Sequence, residues 1–303
     1  MGRHRTLTIR RWPLLGLLVG AAIACASPAR TAAQVPRVGP ENGALVVVGG
    51  AMASEDIYRR FIDLAGGPNA HIVLVPTAAG DDEYDDSYAG MDAWREHGAR
   101  NLTILHTTDP SIADTEDFVK PLATAGGVFF FGGRQFRLVD AYAGTRTEEE
   151  LRKVLDRGGV IGGTSAGASV LGSFLVRGDT ETNALIVGDH QTGFGYLRGV
   201  AIDQHVLRRN RQFDMLELLD THPELLGIGL DEDTAIIVRG DHFEVVGSSY
   251  ALIYDRQTTT GRDGTFYFLA PGDGYDLATR RAMRTSRTLG PVPNIERRPW
   301  RAN

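Results

Sequence analysis

The chain has 303 residues, a formal net charge of −6 and 42% hydrophobic residues. This length suits one large domain or two small ones. Residues 1–33 contain five arginines and no acidic residue, so the rest of the chain carries a charge of about −11. That acidity argues against a nucleic acid or an anionic lipid surface as a partner. Cys25 is the only cysteine, which excludes an intramolecular disulfide and a cysteine-ligated zinc site.

Residues 1–33 are predicted to be a secretory signal peptide, so the protein is expected to be secreted or periplasmic. Their basic start is followed by the apolar stretch from Leu14 to Ala24, which is shorter than the about 20 residues that a bilayer span needs. Small residues come next, and cleavage after Ala26 or Ala33 fits them. A lipid anchor on Cys25 is the alternative. No later segment is apolar and long enough to predict a membrane span.

The apolar runs predict an α/β fold in which helices cover both faces of a mostly parallel sheet. We expect buried strands at 44–48, 71–75, 101–105, 127–131 and 159–161, and helices at 54–64, with Ser54 as its cap, and at 148–155. The last third of the chain is β-rich, with a hairpin at 235–246 and strands at 250–254 and 265–269. These elements predict one domain over residues 34–280 and a loose tail over residues 281–303.

One glycine-rich run carries the strongest chemical signal. Gly162-Gly163-Thr164-Ser165-Ala166-Gly167-Ala168 lies between an apolar strand and residues that can open a helix. The pattern G-x-S-x-G in this setting is the nucleophile elbow. Glycines flank the serine because the sharp turn crowds its neighbours, and amides at the start of the helix can stabilise an oxyanion. Ser165 is therefore the predicted nucleophile, and a small-residue turn without a catalytic role is the alternative.

A serine nucleophile needs a base that removes its proton. Of the eight histidines, His190, His205 and His242 lack an ordinary structural explanation. His205 is the favoured base because it precedes an arginine cluster, and arginines bind acidic ligands through paired hydrogen bonds. His242 is the competing base, since a serine, an acid and then a histidine is the order found in α/β-hydrolases. Its position in a tight hairpin turn argues for exposure.

The base in turn needs an acid to orient it. Three consecutive acids, Asp231, Glu232 and Asp233, follow an apolar run and precede the β-rich segment. Acids in such a place also cap turns, so the residues alone do not choose among the three.

Four motifs together resemble the cyanophycinases, a serine peptidase family whose wider membership includes the aspartyl dipeptidase E enzymes. The motifs lie in order across the chain, at Phe131 to Gln135, Gly162 to Ala168, Asp203 to Arg211 and Gly229 to Ala235. The resemblance implies a glutamine-amidotransferase-like α/β fold of three layers. It implies a serine exopeptidase that hydrolyses β-linked aspartyl peptides without a metal or an organic cofactor. It also suggests a homodimer.

The resemblance assigns roles to individual residues. Ser165 would be the nucleophile, His205 the base and Glu232 the orienting acid, and the backbone amides of Gly133 and Ala166 would form the oxyanion hole. The residues on substrate-binding positions are Gln135, Asp203, Gln204, Arg209 and Arg211. The family's substrate, cyanophycin, is a polyaspartate chain with arginine on each side-chain carboxyl, and the products are β-Asp-Arg dipeptides.

Two residues depart from the family pattern and change the charge of the expected pocket. Arg134 stands where an acidic residue is usual, and Asp214 stands where a third arginine is usual. The acidic loop from Asp81 to Asp86 is a possible partner for the arginine branch of the substrate. Two other functions remain open, namely an esterase that uses Ser165 with His242 and an inactive protein that binds acidic peptides.

Overall fold

The computed structural model describes residues 1–2, 37–258 and 266–285. The strands, in chain order, are β1 (Ala44–Val48), β2 (His71–Val75), β3 (Asn101–Ile104), β4 (Gly127–Phe130), β5 (Val160–Thr164), β6 (Gly172–Gly178), β7 (His190–Thr192), β8 (Leu197–Gln204), β9 (Leu226–Leu230), β10 (Thr234–Arg239), β11 (His242–Gly247), β12 (Ala251–Asp255), β13 (Tyr267–Leu269), β14 (Gly274–Asp276) and β15 (Arg281–Met283). The helices are α1 (Glu55–Ala65), α2 (Asp92–Glu96), α3 (Pro110–Ala113), α4 (Glu116–Thr124), α5 (Gln135–Tyr142), α6 (Arg146–Asp156), α7 (Ala166–Ser169) and α8 (Asp214–Thr221).

The strands of the described residues form two sheets. A nine-stranded sheet has the order β15-β14-β11-β10-β1-β5-β4-β2-β3, in which β1, β5, β4, β2 and β3 are parallel and the other four strands are antiparallel. A six-stranded sheet has the order β13-β12-β9-β8-β6-β7. The predicted α/β fold is confirmed. The second sheet was not predicted, because an apolar run indicates a strand but not its partners.

The nine-stranded sheet is the middle layer of the fold. Val46 and Val48 of β1 face a core that includes Phe61 of α1, whereas Leu45 and Val47 face a core that includes Leu151 of α6. This second core also contains strand residues of the six-stranded sheet. Because β1 is buried on both faces, its residues are uniformly apolar, as is usual in a parallel sheet.

The sheet register places the glycine-rich turns and the acidic run at one edge. The carboxyl ends of parallel strands meet at the same edge, so the residues after β1, β4 and β5 lie close together. In the six-stranded sheet, β8 and β9 pair in parallel with Gln204 beside Leu230. His205 and the run of acids from Asp231 therefore leave neighbouring strands side by side.

Several expectations concern the ends of the chain. Nearly all of the expected signal peptide, with Cys25, lies outside the described residues, as do residues 286–303 of the expected tail. β15 pairs with β14 over Arg281–Met283, so regular structure continues past the expected boundary at residue 280. Within the described residues, no helix has the length and apolar character needed to cross a bilayer.

The amino terminus of α1 is capped from a distant part of the chain. Ser54 occupies the cap position, but its side chain does not accept a hydrogen bond from the helix. Instead, Asp233 Oδ1 accepts from the amides of Ala53 (2.9 Å) and Ser54 (2.7 Å), and Asp233 Oδ2 accepts from Ser54 Oγ and Ser248 Oγ. A carboxylate also suits the positive end of the helix dipole. Ser54 is therefore the N-cap residue, as predicted, but the capping carboxylate comes from Asp233 and not from the serine side chain.

We predict that Asp233→Ala lowers the free energy of unfolding by about 1–3 kcal/mol, because four donors lose their acceptor. Asp63→Ala on the exposed side of the same helix is the control, and it should change stability by less than about 0.5 kcal/mol. Urea unfolding monitored by circular dichroism measures both values. Equal losses in the two variants would contradict the capping role.

Candidate active site

Ser165, His205 and Glu232 form a continuous chain of hydrogen bonds. Ser165 Oγ lies 2.9 Å from His205 Nε2, and His205 Nδ1 lies 2.7 Å from Glu232 Oε1. The imidazole is buried, with the residue 6% exposed. With its proton on Nδ1, the imidazole donates to Glu232 and leaves Nε2 free to accept the serine proton. This arrangement is that of a hydroxyl nucleophile, a general base and an acid that orients the base.

Three consecutive carbonyl groups at the end of β1 hold the segments that carry these side chains. Val48 O accepts a hydrogen bond from the Ser165 amide (3.0 Å), and Gly49 O accepts from the His205 amide (2.8 Å). Gly50 O accepts from the amide of Asp233 (2.8 Å), the residue after Glu232. The end of one central strand thus fixes the backbone beside each member of the site.

The three residues that donate these bonds share an uncommon backbone conformation. The φ angles are +55° at Ser165, +54° at His205 and +49° at Asp233. Residues with side chains rarely adopt positive φ, and each such residue costs about 1–3 kcal/mol. Strain of this kind persists where surrounding contacts enforce it, and here the carbonyl groups of β1 and its glycines provide those contacts.

Gly50 makes room for the imidazole. A Cβ atom at this position would lie 2.2 Å from His205 Cε1 and 2.6 Å from Nε2. Gly50 also has a φ of +119°, which disfavours any residue with a side chain. The pair Gly49-Gly50, predicted to follow a strand, therefore has two functions, since it supplies carbonyl acceptors and lets the histidine pack against the chain.

The structure assigns a different contact to each of the three consecutive acids. Glu232 binds His205, and its other oxygen lies 3.9 Å from Arg208 Nε. Asp231 accepts hydrogen bonds from the amides of Leu207 and Arg208 and from Ser249 Oγ, so it fixes the turn that follows His205. Asp233 caps α1. Only Glu232 of the three orients the imidazole.

The surroundings of His205 favour the neutral imidazole. Burial lowers its pKa below the usual value of 6.5, and the positive charges of Arg209 and Arg211 lower it further. The hydrogen bond and the negative charge of Glu232 act in the opposite direction but do not restore the pKa. A neutral imidazole at neutral pH is the form that can accept a proton.

The expected oxyanion hole lies beside the serine. A Cβ atom on Gly132 would lie 3.0 Å from Ser165 Cβ, which shows how closely this loop approaches the nucleophile. Gly133 has a φ of +144° and abuts Ala78 O, where a Cβ would lie 2.0 Å away. Ala166 opens α7 directly after the serine. The close packing of this loop therefore requires glycine at both positions, and the amide of Gly133 as an oxyanion donor stays a prediction.

Four of the five expected substrate-binding residues cluster in the segment 203–211, which contains His205. Gln204 precedes it on β8, and Arg211 Nη1 donates to Gln204 Oε1 at 3.2 Å. Arg209 is exposed. Gln135 is buried, and its Nε2 donates to Val176 O at 3.4 Å, whereas its Oε1 lacks a hydrogen-bond partner among the described residues. Asp203 belongs to the same cluster.

Arg177, which the sequence analysis did not single out, binds Asp203. Its side chain is 1% exposed and forms a bidentate ion pair with Asp203, with Nε–Oδ1 at 2.7 Å and Nη2–Oδ2 at 2.8 Å. Nη2 also donates to Asp214 Oδ2 at 2.7 Å. The acid at position 214, where the resemblance leads us to expect an arginine, is thus the partner of a buried arginine. No local sequence pattern reveals the contact between Arg177 and Asp214, because the two residues are 37 positions apart in the chain.

The competing histidines lie elsewhere. β10 runs antiparallel to β1, with Ala235 beside Val48 and Val238 beside Leu45. The hairpin that carries His242 is therefore at the opposite edge of the sheet from Ser165, where its Nε2 lies 3.2 Å from Asp276 Oδ2. The alternative pairing of Ser165 with His242 is wrong. His190 contacts Asp140 and Asp189.

Two charged features border the site. Arg134 Nη2 donates to Asp179 O at 2.7 Å, and the guanidinium lies over the ring of Phe136. Tyr84 of the acidic loop packs against Tyr88, with ring centroids 5.0 Å apart, and the Tyr88 ring lies 5.5 Å from that of Phe131, the residue before Gly132. Among the described residues, no group of three or more histidine, cysteine, aspartate or glutamate side chains is arranged to hold a metal ion.

The fold and this arrangement define a serine-type peptidase with an α/β architecture. The model of peptidase family S51 matches residues 45–246, more than half of the chain, so the protein belongs to this family. It is 32% identical to a cyanophycinase from Geminocystis herdmanii over 80% of this chain and 96% of that protein. It is also 31% identical to a cyanophycinase from Synechococcus elongatus, over 80% of this chain and 81% of that protein.

A solved structure has the same fold. A peptidase from an acI-B1 Actinobacterium superimposes with a TM-score of 0.59 at 24% identity, over 78% of this chain and 98% of that one. Together with the cyanophycinase relatives, the family assignment makes the protein a serine exopeptidase, as the sequence motifs predicted.

We predict that Gly50→Ala lowers kcat/KM at least about 100-fold, because the methyl group would displace the imidazole from Ser165. Gly67→Ala is a matched control. Gly67 also has a positive φ, +96°, but a Cβ there would meet nothing within 4 Å. Both variants should lose about 1–2 kcal/mol of stability, and only Gly50→Ala should lose activity. Equal activity in the two folded variants would contradict this account.

The pH dependence of kcat/KM should follow His205. We predict an acid limb with its midpoint below 6.5, the usual pKa of histidine, because the reaction needs the neutral imidazole. Arg209→Gln removes a positive charge that disfavours the imidazolium, so the pKa should rise and the midpoint should move to higher pH. Arg209→Lys retains the charge and should keep the wild-type midpoint. If the acid limb of Arg209→Gln had the same midpoint as that of the wild type, the electrostatic explanation would be refuted.

Proposed function

We propose that the protein hydrolyses β-linked aspartyl peptides through an acyl-enzyme, with cyanophycin as the first substrate to test and β-Asp-Arg dipeptides as its products. The observation that carries this proposal is the hydrogen-bond chain from Ser165 through His205 to Glu232. The two relatives named above, both cyanophycinases, support the choice of substrate. The Arg209 and Arg211 side chains provide positive charge for an acidic peptide.

The proposed reaction has two halves. In the first, His205 Nε2 removes the hydroxyl proton as Ser165 Oγ attacks the scissile carbonyl carbon, and the amides of Gly133 and Ala166 bind the oxyanion. The imidazolium then gives this proton to the leaving amine as the peptide bond breaks. In the second half, His205 removes a proton from water, which attacks the ester carbonyl carbon. The imidazolium then returns this proton to Ser165 Oγ as the ester bond breaks, which releases the acid and restores the serine hydroxyl. Glu232 holds the imidazole throughout.

We also propose that residues 1–33 direct the protein out of the cytoplasm, to the periplasm or the medium. The motivation is the basic and then apolar pattern of these residues. Mass spectrometry of the protein recovered from an exporting host tests this. An amino terminus near residue 27 or 34 is expected, a lipid on Cys25 would indicate anchoring, and an intact Met1 would contradict export. A homodimer stays a prediction, which light scattering can test.

We predict that Ser165→Ala lowers the rate of β-Asp-Arg release from cyanophycin by at least about 1,000-fold, because the nucleophile and its base act as a unit. Ser169→Ala is the matched control. This serine lies four residues later and is buried, and its hydroxyl has no hydrogen-bond partner among the described residues. The control should retain wild-type activity. Mass spectrometry of the released dipeptide measures both rates.

A fluorophosphonate probe separates the enzyme from a protein that only binds acidic peptides. The wild-type protein should be labelled on Ser165, and Ser165→Ala should not be labelled. Absence of labelling in the wild type, together with the same dipeptide release rate in Ser165→Ala, would refute the proposed mechanism.

A further inference from the structure

Arg177 is a buried arginine whose hydrogen-bonding capacity is used within the protein. Its Nε and Nη2 donate to the two oxygens of Asp203, and Nη2 also donates to Asp214 Oδ2. Its Nη1 donates to the backbone oxygens of Asn183 (3.4 Å) and Ala184 (2.7 Å). An arginine side chain has five N–H donors, and these are five hydrogen bonds. Arg177 therefore has no donor left for a ligand.

Both carboxylate oxygens of Asp203 likewise accept hydrogen bonds from within the protein. Its Oδ1 accepts from Arg177 Nε and from the amide of Gln204 (2.9 Å), and its Oδ2 accepts from Arg177 Nη2. The residue is 1% exposed. A carboxylate recognises a guanidinium by offering both oxygens to two parallel N–H groups. In Asp203 these oxygens already bind the protein's own guanidinium, so a substrate arginine would have to displace a buried ion pair.

Asp203 lies beside the expected substrate-binding residues, but its carboxylate is buried. It precedes Gln204, which accepts a hydrogen bond from Arg211, and it comes two residues before His205. Burial lowers the pKa of Arg211, and the charge of Arg177 lowers it further, whereas the charge of Asp203 raises it. Arg211 Nη2 and Arg177 Nη1 both donate to the backbone oxygen of Asn183, at 3.5 Å and 3.4 Å, so the two guanidinium groups are neighbours. Arg211 binds the neutral amide oxygen of Gln204 and so keeps its positive charge for a ligand.

We propose that Arg177 is a positioning residue that sets the charge preference of the substrate pocket. It occupies Asp203 and thereby prevents this carboxylate from recognising a cationic substrate group. Recognition through this part of the pocket falls to Arg209 and Arg211, which bind the carboxylate of the substrate. The pocket therefore takes β-aspartyl peptides, and Asp203 gives no preference for those that carry arginine. This inference rests on the proposed substrate class and adds the role of Arg177.

The test compares two dipeptides that differ only in the charge of one side chain, β-Asp-Arg and β-Asp-citrulline. Citrulline has nearly the shape of arginine but is uncharged. Calorimetry measures the affinity for both in the Ser165→Ala background, so that binding is separated from hydrolysis. The readout is the ratio of the two dissociation constants, which a general loss of stability would not change.

Asp203→Asn removes the negative charge but retains the size of the side chain. We expect the ratio of the dissociation constants for β-Asp-Arg and β-Asp-citrulline to stay within about threefold of its value in Ser165→Ala alone, because Asp203 does not contact the ligand. Arg177→Met frees Asp203 and should shift the ratio at least about tenfold towards β-Asp-Arg. Asp214→Asn leaves the bidentate pair intact, so it should not shift the ratio and serves as the control.

The inference would be overturned if Asp203→Asn weakened β-Asp-Arg about tenfold or more and left β-Asp-citrulline unchanged, since Asp203 would then bind the arginine directly. This outcome stays informative even if Arg177→Met does not fold. A protein that binds neither dipeptide would overturn the inference too. A wild-type protein that hydrolyses no aspartyl peptide, in which Ser165→Ala still binds both dipeptides with the expected ratios, would refute the proposed function alone.

Discussion

The end of β1 is the constraint on which the active site depends. Three successive carbonyl groups, of Val48, Gly49 and Gly50, accept hydrogen bonds from the backbone of the serine, the histidine and the acid segments. These segments come from β5, from β8 and from the turn after β9, which are far apart in sequence. Each contact also holds a residue at positive φ. A single buried strand thus positions every member of the site and sustains the local strain.

The central sheet makes this arrangement rigid. β1 lies between β5 and β10 and is buried on both faces, so its end has little freedom to move. Ser165 follows β5 directly, and the acids precede β10 directly. The two strands that flank β1 therefore carry the nucleophile and the acid, while the six-stranded sheet supplies the histidine from β8. The site is built where the two sheets meet.

Much of this could be read from the sequence. The parallel strands were predicted because buried strands are continuously apolar, and Ser165 because its elbow is a local pattern. The arginine cluster favoured His205 over His242, whereas the choice of Glu232 among three consecutive acids required the family resemblance. The role of Gly50, the cap formed by Asp233 and the pairing of Arg177 with Asp203 and Asp214 depend on contacts between distant segments. The local amino-acid composition does not reveal such contacts.

The central claim is that a neutral His205 links Ser165 to Glu232. The most direct measurement is the ¹⁵N NMR titration of the histidine side chains, with the His205 signals identified by their loss in His205→Gln. The account predicts a neutral imidazole that carries its proton on Nδ1 and titrates below 6.5, the usual histidine pKa. A proton on Nε2 of the neutral form, or a titration midpoint above that value, would contradict it.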